Sequence, residues 1–261
     1  MKELEENIPE LSSMKKQPSK IFYDGDLELL DKVKVSIVGS RRPSKYSRMQ
    51  IQKLSSSLAK LGVCVVSGGA MGIDAIAHQG ASSCSTIAVL PCGVDIRYPA
   101  VNKNLLNDIQ KDGLLLSQFD LGFRATPWSF VLRNEVVVAL GEVLVVGEAD
   151  EGSGTMRSVE FALAMGKEIY VLPQRVGESG ATNKLLAEGK AKAIYDIDDF
   201  VSKFKKDDDL SLHVESVDDD FIIFCKSNPS YDETLARFPA RVFEAELAGD
   251  INIINGRVVL N

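Results

Sequence analysis

Two consecutive strand–glycine turn–helix units constrain the fold of this chain more than any other feature. The apolar run 33–38 (VKVSIV) ends at Gly39, and a helical pattern follows over 46–61. A second run, 63–66 (VCVV), ends in the turn 67–72 (SGGAMG), where another helix begins. Short runs rich in valine are typical of strands buried on both faces of a parallel sheet. Each turn places backbone N–H groups at a helix start, where an anion is favoured.

The alternation of strand and helix continues to about residue 195. Further strands are predicted at 86–90, 114–117, 143–146, 169–172 and 192–195, and further helices at 102–111, 128–140, 155–165 and 181–188. This order predicts an α/β fold, an extended Rossmann-like, doubly wound and mostly parallel sheet. Ligands of such sheets bind outside the carboxyl ends of the strands. Because the turns GSRRPS, SGGAMG and EGSGT all follow predicted strands, we expect them to meet at one edge.

Composition divides the chain into four segments. They are a polar N-terminal lead-in (1–31), the Rossmann-like domain (32–204), an acidic linker (205–220) and a winged-helix-like domain (221–261) with three helices and a hairpin. The flanks are acidic, so the net charge of −7 conceals a mildly basic centre. The C-terminal domain is slightly acidic, which favours a protein contact over DNA binding.

The charge of the first two units is unusual, because all eight charged side chains between residues 32 and 73 are basic. A glycine turn flanked only by positive charge indicates a phosphate-bearing partner. A solvated basic helix face on an ordinary α/β sheet would give the same pattern. Both interpretations stay open on charge alone.

Several classes of protein are disfavoured. No run of 18 apolar residues predicts a membrane span, and the polar N-terminus does not resemble a secretory signal. Four cysteines without CxxC spacing fit a reducing cytoplasm and argue against a disulfide framework or a zinc site. The nucleotide motifs GxGxxG and GxxxxGK[ST] are absent, so we expect no cofactor.

No convincing catalytic set is present, and binding is favoured over chemistry. Of the two histidines, His213 lies in the acidic linker, whereas His78 follows Asp74 by one helical turn. That spacing permits a hydrogen bond between them, which is more typical of a structural contact than of a catalytic pair.

The stretch WSFVLRN places an aromatic pair, an arginine and an amide together after a long loop. Exposed aromatic side chains beside a basic groove are stacking platforms for unpaired bases. Alternatively, Trp128 and Phe130 are core residues at a helix start, which we favour for Trp128. Arg133 could equally pair with an acid inside the sheet edge.

Seven of these stretches, in order over about 33–195, resemble the DprA (Smf) DNA-processing family. They are IVGSRRPSKYS, VVSGGAMGIDAIAHQGA, TIAVLPCGVDIRYP, LLSQFDLG, PWSFVLRN, the SGT turn with its helix, and LPQRVGESGATNKLLAEGKA. The C-terminal segment is similar to the small winged-helix domain that many members carry. The resemblance implies a homodimer without catalytic activity that binds single-stranded DNA during natural transformation and loads the RecA recombinase onto it.

The resemblance also implies a DNA pocket. It uses the turn after the first strand unit, here Gly39, Ser40, Arg41 and Arg42, and the helix after the PW motif, here Phe130, Arg133 and Asn134. To these we add Lys45 from the basic run and, because the turns converge, Gly68, Gly69, Ser153, Gly154 and Thr155. The family often has a second arginine where this chain has Glu135, which would weaken one edge of the groove.

Two other functions remain as hypotheses. One is a Rossmann-like nucleoside monophosphate phosphoribohydrolase, whose PGGxGTxxE motif is similar to EGSGTMRSVE here, with Ser158 at the glutamate position and Glu160 nearby. The other is a scaffold for the recombinase that makes no DNA contact.

Overall fold

The computed structural model describes residues 2–205, 220–239, 241–242, 245, 251–254 and 256–260. The chain divides into two compact units, Met1–Lys205 and Lys206–Asn261. Within the part of the chain described, no helix combines the length and the apolar character needed to cross a membrane.

A nine-stranded sheet forms the centre of the first unit. Its strands are β1 (Lys2–Glu3), β2 (Phe22–Gly25), β3 (Lys34–Val38), β4 (Cys64–Ser67), β5 (Thr86–Val89), β6 (Leu114–Ser117), β7 (Val143–Val146), β8 (Ile169–Val171) and β9 (Lys192–Ala193). Their order is β1-β2-β6-β5-β4-β3-β7-β8-β9. The pairs from β6 to β9 are parallel, and β1 and β2 are antiparallel additions. The predicted mostly parallel sheet is confirmed.

Helices cover both faces of this sheet. They are α1 (Lys45–Lys60), α2 (Ile73–Ala81), α3 (Lys103–Asp112), α4 (Pro127–Leu140), α5 (Gly154–Ala164), α6 (Gly180–Ala187) and α7 (Ile197–Ser202). One face carries α1, α2, α3 and α7, and the other carries α4, α5 and α6. The alternating side chains of the central strands therefore enter two apolar layers, which explains why those strands are apolar throughout.

Helix α1 shows how local sequence sets these elements. The side chain of Ser44 caps the helix by accepting a hydrogen bond from the backbone N–H of Ser47. Ile51, Leu54 and Leu58 recur at helical spacing and are fully buried. The helix ends before Gly62, whose φ of +73° lies in the left-handed region that favours glycine.

The segment predicted as a polar lead-in is part of this domain. Its strands β1 and β2 extend the sheet, and its apolar side chains Ile8, Leu11 and Met14 lie in the core beside α4. The buried ammonium group of Lys34 forms an ion pair with Glu10 at 2.7 Å. The five buried apolar residues of this segment, Ile8, Leu11, Met14, Ile21 and Leu29, are irregularly spaced, which gives too little periodicity to predict a strand.

The second unit has its own small core. It contains α8 (Asp220–Cys225), α9 (Tyr231–Arg237) and a hairpin of β10 (Ile251–Ile254) and β11 (Arg257–Leu260). The buried residues include Phe221, Cys225, Val242, Ile251 and Val258. The third helix predicted for this domain, at 240–247, and the acidic linker lie largely outside the described residues.

Candidate nucleic-acid interface

A cavity of about 620 Å³ lies at the carboxyl edge of the sheet. Strands β3 and β7 are neighbours in the sheet. From β3 the chain continues to β4 on one side, and from β7 it continues to β8 on the other side, so the loops that follow β3 and β7 run in opposite directions and leave a gap between them. Such a switch in strand order is where open α/β sheets bind their ligands. Its walls come from the loop after β3, the first turns of α4, the loop after β7 and the start of α5.

The structure brings most of the predicted site residues together around this cavity. Those that line it are Gly39, Ser40, Arg41, Phe130, Arg133, Asn134, Ser153, Gly154 and Thr155. Arg42 and Lys45 are exposed and do not line it. Gly68 and Gly69 are buried, and Gly68 lines a neighbouring cavity of about 30 Å³ that shares Arg41, Phe130 and Arg133 with the larger one.

Arg133 forms the floor of the cavity. Its side chain is 3% exposed. Nη1 donates hydrogen bonds to the carbonyl oxygens of Gly68 and, at 3.0 Å, of Val89. A Cβ added at Gly68 would lie within 3 Å of both this guanidinium and the Asp74 carboxylate. The two charged groups therefore occupy the space that a side chain at position 68 would need. Arg133 therefore lies beside Asp74 inside the sheet edge, while its hydrogen bonds go to backbone carbonyl oxygens.

Asp74 and Arg133 influence each other's ionisation. Burial raises the pKa of the Asp74 carboxyl, and the nearby Arg133 guanidinium opposes that shift. Burial also lowers the pKa of Arg133, which the charge of Asp74 offsets in part. A buried arginine that lies near a carboxylate and is hydrogen-bonded to two carbonyl oxygens keeps its charge and its position.

The second glycine turn is closed on itself. The backbone N–H of Ala70 donates to Asp74 Oδ2 at 3.4 Å, and that of Gly69 donates to His78 Nε2 at 3.3 Å. The amides that the sequence predicts as anion ligands in this turn thus have partners within the domain. The stretch SGGAMG is thus a tight strand-to-helix turn.

His78 has a structural role. Thr86 Oγ1 donates its proton to the carbonyl oxygen of Val65, so it accepts from His78 Nδ1 at 2.7 Å. Nε2 is then unprotonated and accepts from Gly69, which leaves no ring nitrogen for Asp74. The hydrogen bond between Asp74 and His78 that their spacing permits is not formed. Burial, with a smaller effect of Arg133, lowers the pKa of His78 to about 3.

We expect the stability of this domain to fall in mild acid because of His78. In the unfolded chain His78 binds a proton near its ordinary pKa of 6.5, whereas the folded chain binds it only near pH 3. Protons therefore favour the unfolded state throughout that interval, and the free energy of unfolding should drop by about 2 kcal/mol between pH 7 and pH 5. Urea titrations at the two pH values measure this change. In His78→Gln, which does not titrate, most of the drop should disappear; an equal drop in both proteins would contradict the assignment.

The first glycine turn is also largely satisfied within the domain. The N–H of Ser40 donates to the carbonyl oxygen of Glu148 at 2.8 Å, and that of Ser44 donates to the Glu148 carboxylate at 2.9 Å. The N–H of Arg42 donates to Ser40 Oγ at 3.1 Å. Among the described residues, the N–H groups of Gly39 and Arg41 have no partner, so this turn offers the cavity those two amides as well as the side chain of Arg41.

The third turn also leaves amides open. Ser153 is the N-cap residue of α5, yet its hydroxyl makes no capping hydrogen bond. Among the described residues, the N–H groups of Gly154 and Thr155 have no hydrogen-bond partner. The N-terminus of α5 therefore presents unpaired donors and the positive end of the helix dipole to the cavity.

The aromatic side chains of WSFVLRN have different positions. Phe130 is half-buried and lines the cavity, with the Arg41 guanidinium carbon 5.5 Å from its ring centroid. Trp128 is 53% exposed and packs edge-on against Phe119 and Phe123. The preference for Trp128 as a core residue was therefore wrong, because the two phenylalanines of the preceding loop supply the packing instead.

The charge around the cavity is mixed. Arg41, Arg133 and Arg157 line it together with Asp74 and Asp150. Arg157 was not identified from the sequence, although it lies three residues after Gly154, on the same face of α5. The basic run of residues 32–73 does not form one patch, because Lys34 is buried and Lys53 lies 3.9 Å from Asp198.

The carboxylates of the other hypotheses lie elsewhere. Glu160 forms an ion pair with Arg157 at 2.7 Å and does not line the cavity. Glu135 does not line the cavity, and burial raises the pKa of its carboxyl, which the nearby backbone of Lys15 opposes. No group of three or more His, Cys, Asp or Glu side chains within the described ranges is suited to hold a metal ion.

Comparison with known proteins gives a family for the first unit. Residues 3–205 match the family described as DNA recombination-mediator protein A. The DNA processing protein DprA of Streptococcus pneumoniae is 34% identical over 200 residues, which cover 75% of this chain and 70% of that protein. DprA of Bacillus subtilis is 32% identical over 194 residues, which cover 72% of this chain and 65% of that protein. The chain thus spans about two thirds of the length of these relatives.

Two solved structures share the fold. DNA processing protein A from Helicobacter pylori, whose structure was described for a unique single-stranded DNA binding mode, has a TM-score of 0.76 and 39% identity over 77% of this chain and 94% of that chain. The X-ray structure of DprA from S. pneumoniae has a TM-score of 0.71 and 34% identity over 76% of this chain and 71% of that chain. The predicted extended Rossmann-like fold is confirmed.

Proposed function

Because this chain belongs to the DNA recombination-mediator protein A family, we propose that it binds single-stranded DNA in the cavity at the sheet edge and delivers it to the RecA recombinase during natural transformation. The observation that carries the proposal is the convergence of Arg41, Phe130 and the open start of α5 on one cavity. The family consists of recombination mediators and not of enzymes, which leaves the phosphoribohydrolase hypothesis without support.

Each part of the cavity has a role in this proposal. Arg41 holds a backbone phosphate through charge-assisted hydrogen bonds, and the amides of Gly154 and Thr155 hold another. Phe130 stacks on a base, which typically contributes about 1–3 kcal/mol. Arg133 is buried, so it positions Phe130 and the second turn and adds positive charge beneath the ligand.

The proposal predicts that Arg41 and Arg42, adjacent in sequence, differ in their effect on DNA binding. Arg41→Ala should weaken binding of an oligonucleotide and lower the log–log slope of affinity against salt by about 0.7, because one phosphate contact is lost. Arg42→Ala is the matched control, since Arg42 is exposed and does not line the cavity. Fluorescence anisotropy titrations at several salt concentrations give both quantities.

A comparison of duplex with single-stranded DNA tests whether the site requires unpaired bases. Duplex DNA of equal length should bind more weakly at the same salt concentration, because its bases are not available to Phe130. Equal affinities for duplex and single strand, or an unchanged slope in Arg41→Ala, would contradict the proposed site.

The wider role has several further parts. We propose that the protein acts in the cytoplasm as a homodimer, with the second unit making a protein contact rather than a DNA contact. Co-purification with RecA tests the recombinase contact, and light scattering of the purified chain tests the homodimer. The DNA titrations distinguish the proposed function from a scaffold for the recombinase that makes no DNA contact.

A further inference from the structure

A strand that occupies the cavity at the sheet edge must continue beyond it. A volume of about 620 Å³ is that of a pocket for one small ligand, so most of an oligonucleotide lies outside it. Pro127 and Val131 line the cavity and are themselves exposed, so the wall that the first turns of α4 form is open to solvent on its outer side. The outer side of α4 is therefore a surface next to the strand as it leaves the cavity.

Trp128 lies on that outer side. It follows Pro127 in sequence and precedes Val131 by three residues, so its side chain neighbours that of Val131 on the helix surface. Trp128 is 53% exposed, whereas a tryptophan is on average highly buried. Leu132, one turn further along the same face, is 41% exposed. An aromatic and apolar surface thus continues directly from the cavity wall.

The ring of Trp128 is held in place before any ligand binds. Its centroid lies 5.6 Å from that of Phe119 and 5.5 Å from that of Phe123, at interplanar angles of 74° and 64°. Phe119 is buried, so these edge-to-face contacts connect the ring to the core. The start of α4 is fixed as well, because the N–H of Thr126 donates to Ser129 Oγ at 2.9 Å. A ring held in this way loses little conformational freedom when a ligand contacts it.

The charge around Trp128 favours a base as the group that covers it. The loop before α4, residues 118–126, contains one acid and one base, Asp120 and Arg124, and both are exposed. This loop therefore has no excess charge with which to hold a phosphate or a charged peptide. Its exposed aromatic ring suits the flat, uncharged face of an unpaired base.

We propose that Trp128 is a second stacking platform, outside the cavity, for an unpaired base of the strand that occupies the cavity. This inference rests on the proposed function and adds a contact to it. A helix with its side chains is about 10–12 Å wide, and successive nucleotides are about 3.4 Å apart along a stacked strand. The base on Trp128 is therefore about three nucleotides away from the base on Phe130. Because stacking involves no phosphate, the contact adds affinity but no salt dependence.

The intrinsic fluorescence of the full chain reports on this platform, since Trp128 is the single tryptophan. The ligand is an oligothymidine of about 12 nucleotides, within the range of lengths that single-strand-binding folds contact. At saturation, which the anisotropy of a labelled copy establishes, we expect the tryptophan emission to be quenched because a base lies against the indole. Unchanged emission at saturation would overturn the proposal.

Substitutions of Trp128 separate stacking from packing. Trp128→Leu keeps an apolar side chain but has no aromatic face, so oligothymidine affinity should fall at least about fivefold with an unchanged log–log slope against salt. Trp128→Phe should keep most of the affinity, and an equal loss in both variants would contradict stacking. The matched control is Met49→Ala, which removes a 59% exposed apolar side chain of α1 that does not line the cavity, and should bind as the parent does. Circular dichroism shows whether each variant is folded.

The outcomes distinguish this platform from the proposed function. If the oligonucleotide binds the parent without quenching and Trp128→Leu binds it equally well, the inference is wrong and the proposed function stands. If Trp128→Leu keeps its affinity but light scattering shows that a dimer has dissociated, the surface is a contact between two copies and the inference is again wrong. If Trp128→Leu lowers the affinity and Arg41→Ala does not, the platform stands and the proposed cavity site is wrong.

Discussion

Replacing Arg133 by methionine is expected to lower the free energy of unfolding by about 3–5 kcal/mol. Methionine fills a similar volume but leaves the Asp74 carboxylate buried without its counter-charge, and it removes the hydrogen bonds to the carbonyl oxygens of Gly68 and Val89. Removing one partner of a buried charged pair costs more than the pair itself contributes. Trp128, the single tryptophan, lies in the same unit, so its fluorescence during urea unfolding measures the change.

Two further variants show whether the loss is due to the buried charge. Arg124→Met removes an exposed arginine and should change stability by less than about 0.5 kcal/mol. Adding Asp74→Asn to Arg133→Met should recover part of the loss, because the uncompensated carboxylate is gone. A double variant as unstable as the sum of the two single variants would contradict the coupling of these residues.

Gly72→Ala is expected to cost about 2–5 kcal/mol and to disturb the cavity as well. Gly72 has a φ of +80°, in the left-handed region, and a Cβ there would lie 2.3 Å from the carbonyl oxygen of Ser40 and 2.7 Å from the Cα of Arg41. With ψ at −127° this conformation is one that glycine adopts far more readily than other residues, so the backbone strain contributes about 1–3 kcal/mol and the overlap adds to it. Because the overlap is with backbone atoms, relief requires movement of the segment that carries Arg41, so oligonucleotide affinity should fall too.

Gly62→Ala separates the two contributions to that cost. Gly62 has a similar φ of +73°, but a Cβ there meets nothing within 4 Å. It should lose only the strain, about 1–2 kcal/mol, and keep its DNA affinity. Equal losses in both variants, or unaltered DNA binding in Gly72→Ala, would contradict the close approach of the two turns.

The order of elements in the first unit could be predicted from the residues alone. The central strands are buried on both faces, so they contain continuous apolar runs that local pattern detects, and the strands at 114–117 and 143–146 were predicted with the bounds that the structure has. The sheet edge at which the turns meet followed from strand direction, because parallel strands end at the same edge. The seven ordered motifs likewise identified the family.

Other features depended on contacts between residues far apart in sequence. The strands of residues 2–31 were missed because β1 is exposed and β2 is at most half-buried, so their place depends on the pairing of β2 with β6 and not on an apolar periodicity of their own. The position of Trp128 depended on Phe119 and Phe123, which only the folded loop places beside it.

Sequence by itself determined that this protein is a parallel α/β sheet with three glycine turns at one edge, since backbone direction and side-chain polarity are local properties. Only the tertiary structure decided which amides of those turns are free. Each amide is free or satisfied according to whether a distant side chain, such as Glu148 for the first turn, reaches it. The physical reason is that a hydrogen bond depends on distances of a few ångströms between elements, and no local pattern specifies those distances.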